Sequence, residues 1–282
     1  MQNIDYRFSY KIFPEHIKNS MMGTMMERIK VEERDGVLIL TLHNPEKRNA
    51  IDEKMIDEIK KVLSKERENE NLKVMLIQGE GKIFCSGGDL KWMERKGKSN
   101  YEENLKDALE LAEMYKMIWD FPTPVVVKVQ GGAYGGGMGF IAVSDISVAE
   151  KNSKFRTPEI KVGLIPAVIS VFLIRKIGLS HTKFLALTAR EITAEEAKNM
   201  GLINIITEED ELDSKTWEII EEIKSSAPKN TRKTKELINL ICQTENLNIS
   251  LRLAGEFISQ ARASSEGIEG IMSFLEKRKP NW

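Results

Sequence analysis

An α/β core followed by a helical C-terminal region is the fold class that the sequence predicts, and three observations predict it. Short apolar, strand-like runs alternate with stretches of helical periodicity as far as about residue 193, which argues for parallel pairing with right-handed crossovers. Beyond Ile206 nearly every segment reads as helix. Hydrophobic residues make up 41% and charged residues 30% of 282 residues, an ordinary soluble composition with enough apolar mass for a core.

The elements follow in order. Val37-Leu-Ile-Leu-Thr-Leu42 predicts a strand closed by the turn signal Asn44-Pro45. From Asp52, residues Met55, Ile59, Val62 and Leu63 recur at helical spacing and predict an amphipathic helix to about Arg67. Val74-Met-Leu-Ile77 predicts a second strand, ended by Gly79 and Gly81. Leu105, Leu109, Ala112 and Tyr115 predict a further helix, with these four residues on one face. Pro124-Val-Val-Val-Lys-Val129 and Ile146-Ser-Val-Ala149 predict the third and fourth strands. Thr193-Ala-Glu-Glu196 is a capping-box pattern, with Gly201 placed to end the short helix it starts. Helices are expected over 212–225, 232–243 and 249 to about 277. The resulting organisation is an N-terminal extension over 1–24, an α/β core over 25–207 and a helical region over 208–282.

Charge excludes one class of partner. Forty-two Lys plus Arg against forty-three Asp plus Glu leave a net charge of −1, with no basic excess to neutralise a phosphate backbone, so no nucleic-acid partner is expected. The uncharged run 129–144 is too short to span a bilayer and is broken by glycines, and no membrane partner is expected. The first 24 residues hold no continuous apolar stretch, so no secretory leader is expected. Cys85 and Cys242 are the only cysteines, which fits a reduced, cytoplasmic setting without a disulfide framework or a cysteine-based metal site.

Two glycine-rich junctions each stand between a strand and helical sequence: Phe84-Cys-Ser-Gly-Gly-Asp-Leu90 and Gly131-Gly-Ala-Tyr-Gly-Gly-Gly-Met-Gly139. Glycine lets backbone N–H groups approach a ligand, and a helix start adds its positive dipole end. Two such junctions could aim two donors at one oxygen and stabilise an oxyanion. The same glycines would serve equally for tight turns and close helix packing. Ser86 lacks the first glycine of a G-x-S-x-G nucleophile elbow, and His16, His43 and His181 show no obvious partner for it. Gly137-Met-Gly-Phe-Ile-Ala142 formally matches a dinucleotide fingerprint with Glu159 about twenty residues on, but it does not directly follow a strand. Glu159, after Pro158 and among apolar residues, is a candidate for a partly buried carboxylate with a raised pKa, suited to proton transfer. It could equally charge the start of a surface helix.

Taken together, residues from about 27 to 282 resemble the crotonase (enoyl-CoA hydratase/isomerase) superfamily. Asn44-Pro-Glu-Lys-Arg-Asn-Ala50, Cys85-Ser-Gly-Gly-Asp-Leu90, Ala133-Tyr-Gly-Gly-Gly137, Pro158-Glu159 with Gly163-Leu-Ile-Pro166, and Phe274-Leu-Glu-Lys277 carry the resemblance, in the family's order. It implies a spiral of ββα units followed by helices that mediate trimerisation, with trimers often pairing into hexamers. It implies that the backbone N–H groups of Ser86 and Gly136 hold a thioester oxygen while Glu159 exchanges a proton at the α-carbon. Lys47, Arg48 and Ala50 would lie along coenzyme A. Gly88, Asp89 and Leu90 would line the substrate, and Phe274 and Lys277 would meet the adenine end from a neighbouring subunit. No metal and no cofactor beyond the coenzyme A thioester substrate is implied.

One departure bears on the reaction. The usual second glutamate of hydratases, two residues after the glycine triplet, is replaced here by Gly139. A one-glutamate site resembles Δ3,Δ2-enoyl-CoA isomerases. The wider pattern, Asp89-Leu-Lys-Trp-Met93 with Tyr101-Glu-Glu-Asn104 and Gly163-Leu-Ile-Pro-Ala-Val-Ile-Ser170, looks most like bacterial 3-methylglutaconyl-CoA hydratases of leucine degradation. Hydration is therefore the expectation, with isomerisation and a non-catalytic binding protein as the alternatives.

Overall fold

The central strands are apolar on both faces, and that decides where the core sits. In Val37–Leu42 (β3), Leu38, Leu40 and Leu42 join one cluster and Val37 and Ile39 another, because side chains alternate along a strand. A sheet buried on both sides needs helices on both faces, as parallel sheets generally do. The structure is a computed structural model and describes residues 23–282. The first 22 residues of the expected extension lie outside the described residues, and Thr24–Met25 (β1) already pairs with Ile29–Arg34 (β2).

The large sheet runs β1-β2-β3-β4-β5-β7-β10, with Val74–Gly79 as β4, Val125–Val129 as β5, Ile146–Glu150 as β7 and Ile205–Thr207 as β10. From β1 to β3 pairing is antiparallel, and from β3 to β10 parallel. A second sheet holds Gly132–Tyr134 (β6), Lys154–Arg156 (β8) and Ile192–Thr193 (β9). The alternation of strand and helix matches the crotonase-like α/β expectation. The short strands of the second sheet and β2 were not foreseen from periodicity.

Glu53–Glu66 (α1) begins where Asp52 accepts a hydrogen bond from Met55 N at 2.9 Å, a cap worth about 1 kcal/mol. Leu90–Gly97 (α2) is capped by Asp89 in the same way. Tyr101–Trp119 (α3) meets the expectation in part: Tyr115 is buried, together with Met114 and Ile118, whereas Leu105 and Leu109 are exposed. Leu111, Met117 and Trp119 also pack against the core, so the contact lies on the C-terminal part of α3 and includes the expected Tyr115.

Gly136–Val143 (α4) is buried from Gly137 to its end and packs against α3 and Ala167–Thr188 (α5). Ala194–Asn199 (α6) carries the foreseen capping box, formed by Thr193 and Glu196. Leu212–Lys224 (α7) covers the other sheet face, where Ile220 joins Val37, Ile39, Val74, Leu76 and Val126. Pro228–Cys242 (α8), Leu247–Ala263 (α9) and Ser265–Leu275 (α10) complete the tail. The single helix expected over 249–277 is in fact two. Ser264 turns extended and accepts from Gly267 N at 3.0 Å, starting a new helix. Among the described residues no helix is long and apolar enough to cross a membrane.

Candidate active site

The two glycine junctions lie side by side. Cys85 N donates to Gly132 O at 3.4 Å and Tyr134 N donates to Cys85 O at 3.0 Å, a parallel bridge outside the regular strands. The approach is close enough to demand glycine. Gly87 has φ +92°, and a Cβ there would stand 2.8 Å from Tyr134 O and 3.5 Å from Gly136 N. Gly135 has φ +48°, and a Cβ there would stand 2.9 Å from Glu159 Oε1. The glycines therefore turn the chain and let the two junctions pack side by side.

The donors can be counted from the hydrogen bonds. Ile51 N donates to Gly87 O (2.7 Å) and Asp89 N to Ile51 O (2.8 Å), which leaves the intervening Gly88 N–H without a partner among the described residues. At the second junction α4 begins after Gly135, which has no side chain to cap it, and the Gly136 N–H likewise finds no acceptor among the described residues. Ser86 is a correction. Its N–H donates to Arg48 O at 2.9 Å and its hydroxyl to Lys47 O at 3.2 Å, so the expected donor is already used. The free amide lies two residues further on, at Gly88.

Gly88, Gly136 and Glu159 line one cavity of about 210 Å³, walled by Ile51, Trp92, Met93, Ala108, Leu111 and the segment from Leu164 to Ile169. Glu159 opens the 3-10 turn Glu159–Val162. Gly163, at φ +76°, ends that turn, and Leu164 N donates back to Glu159 O at 2.9 Å, folding Leu164 and Ile165 over the cavity. The carboxylate is half-buried, its Oε2 has no hydrogen-bond partner among the described residues, and burial holds its pKa above the ordinary carboxylate value. A base for a weakly acidic proton gains strength this way.

The space beside Gly139 is filled. A Cβ at 139 would stand 2.5 Å from Tyr115 Cζ, because the ring of Tyr115 packs directly on the glycine. Tyr115 is fully buried, its hydroxyl donates to Gly136 O at 2.6 Å, and burial pushes its phenol well above the ordinary value. Sequence reasoning placed Tyr115 on a helix face and gave no signal of this contact. It also passed over the Gly88 amide as a donor and Gly135 as the residue that makes room for Glu159.

The other expected residues divide into two groups. Lys47 Nζ reaches Asp89 Oδ2 at 2.6 Å, and this hydrogen bond holds the Asp89 carboxyl below its ordinary value. Asp89 also accepts from Trp92 N at 2.9 Å. Both Lys47 and Asp89 line a neighbouring charged cavity that shares Trp92 with the first. Arg48 takes the left-handed conformation at φ +53°, Ala50 is buried and Leu90 is exposed. Phe274 and Lys277 lie at the end of α10 and just beyond it, and neither lines either cavity within the single chain.

Comparison with known proteins agrees with this architecture. A family model described as enoyl-CoA hydratase/isomerase matches residues 32–282. The mitochondrial enoyl-CoA hydratase domain-containing protein 3 of Mus musculus is 31% identical over 89% of this chain and 82% of its own length. The crystal structure of an enoyl-CoA hydratase from Shewanella pealeana is 36% identical, covers 91% of this chain and 96% of that one, and superimposes with a TM-score of 0.86. Human enoyl Coenzyme A hydratase domain-containing protein 3 gives a TM-score of 0.86 at 29% identity, over 91% of this chain and all of that one. The chain belongs to the enoyl-CoA hydratase/isomerase family, the crotonase superfamily.

Proposed function

We propose that the protein acts on an enoyl-CoA thioester through an enolate, with Gly88 N–H and Gly136 N–H holding the thioester oxygen and Glu159 moving the proton at the α-carbon. One observation carries this: two free backbone donors and an unpartnered carboxylate oxygen line the same cavity. Each donor aimed at a developing oxyanion is worth about 3–4 kcal/mol of barrier. Hydration is the net reaction. Glu159 takes a proton from water as its oxygen bonds to the β-carbon and delivers that proton to the α-carbon, so the atoms balance with one carboxylate.

Isomerisation is the second reading, and one observation favours it. A water molecule needs two to four polar partners, and among the described residues Glu159 is the only titratable side chain on this cavity. Moving a proton from the α- to the γ-carbon needs no water. The experiment follows loss or gain of enoyl absorbance with crotonyl-CoA and, separately, 3-hexenoyl-CoA. Conversion of the first supports hydration, conversion of the second alone supports isomerisation, and conversion of neither overturns the enzymatic reading.

The apolar walls also bear on the acyl chain. A 3-methylglutaconyl chain would bring a second carboxylate towards Glu159, and among the described residues no cation lines the cavity to meet it. We therefore propose an uncharged acyl group. Lys47, Arg48 and Ala50 remain the proposed coenzyme A contacts. Self-association as a trimer or hexamer is proposed as well, supported by the exposed apolar residues Leu251, Ile258, Ile271 and Phe274 of α9 and α10. That assembly would give Phe274 and Lys277 their proposed place at a neighbour's adenine end.

A further inference from the structure

Gly135, Gly136 and Gly137 are three successive residues without Cβ, and such a stretch has the softest backbone a chain can offer. An oxyanion donor has to be aimed before the charge develops. Something must therefore hold this stretch. We propose that Tyr115 is a positioning residue for the Gly136 amide, its buried hydroxyl clamping the Gly136 carbonyl and its ring occupying the space that a side chain at position 139 would need. The inference rests on the reading of Gly136 as an oxyanion donor.

The geometry of the clamp is specific. The hydroxyl reaches Gly136 O at 2.6 Å. A Cβ on Gly136 would lie 3.3 Å from the Tyr115 hydroxyl oxygen and 2.8 Å from Ile51 Cδ1, so the glycine is enclosed from two sides. The ring itself is fixed by edge-on packing against Phe140 (centroids 5.4 Å apart, planes at 73°) and Phe172 (6.2 Å, 60°). Phe140 belongs to the same helix as Gly136, so ring and hydroxyl grip one element at two points. Tyr115 is fully buried and its one proton is engaged, which makes it a fixed strut and not an acid or base towards substrate. Gly139 is then explained by Tyr115: any larger residue there would push the ring and release the clamp.

The test is Tyr115→Phe, which keeps the ring and removes the hydroxyl. The probe is 4-(dimethylamino)cinnamoyl-CoA, whose absorbance moves to longer wavelength as its thioester carbonyl is polarised. The variant is expected to show a smaller red shift and about a 10-fold fall in kcat with KM within about twofold, in line with the cost of misaligned catalytic groups. A full red shift and unchanged kcat would overturn the proposal. Absence of any shift with the unmodified protein would instead overturn the oxyanion reading, and the Tyr115 proposal with it. Should Tyr115→Phe lose its cooperative melt, 3-fluorotyrosine at position 115 supplies a stronger donor of nearly the same shape. It is expected to enlarge the shift, and an unchanged shift would overturn the proposal.

Discussion

The two junctions start from similar glycine-rich sequence and produce a free amide by different means. At the first, Asp89 caps α2, Leu90 beside it is exposed, and the free N–H at Gly88 arises because the bonds to Ile51 use the residues on either side. At the second, α4 is buried almost throughout, no side chain caps it, and the free N–H at Gly136 is an uncapped helix end. Uncapped N–H groups buried in a fold are costly unless a ligand satisfies them. A free donor is thus a consequence of bonds made or withheld nearby, and a glycine count does not reveal it.

Substitutions can break or sharpen that contrast. The largest effect belongs to the group both junctions serve: Glu159→Gln is expected to lower kcat about 10³-fold, within the range of general acid–base catalysis, while acyl-CoA affinity by calorimetry stays nearly unchanged. Because burial raises the Glu159 pKa, its basic form is reached at higher pH than for an ordinary carboxylate. The acid limb of the kcat/KM profile should be displaced upward accordingly. Near-normal turnover of Glu159→Gln, or an acid limb at the ordinary position, would count against the assignment.

Gly135→Ala comes next. It puts a side chain at φ +48° with its Cβ against Glu159 Oε1, and about a 100-fold loss of kcat is expected from misplacement of carboxylate and amide together. The first junction should be more forgiving. Gly88→Ala keeps the amide, and the nearest neighbour of its Cβ is the flexible end of Met93 at 2.7 Å. About a threefold change in kcat is expected there, with longer acyl chains affected more as Met93 moves into the cavity. If Gly88→Ala proved more damaging than Gly135→Ala, the contrast would be reversed.

Asp89→Ala should lower stability in chemical denaturation by about 1 kcal/mol through the lost cap. Its pH dependence has a definite sign. The Lys47 hydrogen bond lowers the folded-state pKa of Asp89, so its contribution is present above the unfolded carboxylate pKa and fades as pH falls through the folded one. The smallest effect is expected from Ser86→Ala, within about twofold in kcat, since the backbone N–H it retains already serves Arg48. A large loss there would restore Ser86 to the site.

Much of the fold was legible in local pattern. Asp52, Thr193 with Glu196, and the apolar run of β3 each state their structure within a few residues, because capping and strand alternation are short-range physics. Glu159 and the two junctions were visible as candidates for the same reason. The exposed half of α3 and the break at Ser264 were not, since each depends on what lies beside the helix or on a cap that competes with an otherwise continuous period.

The sequence by itself determined the alternation of strand and helix, the caps, the glycine-rich corners and the loss of a side chain at position 139. Tertiary structure decided which amides stay free, that Ser86 is committed to Arg48, and that Tyr115 fills the space beside Gly139 from 24 residues earlier in the chain. Hydrogen-bond partners and cavity walls are contributed by segments far apart in sequence, so their identity exists only once the chain has folded.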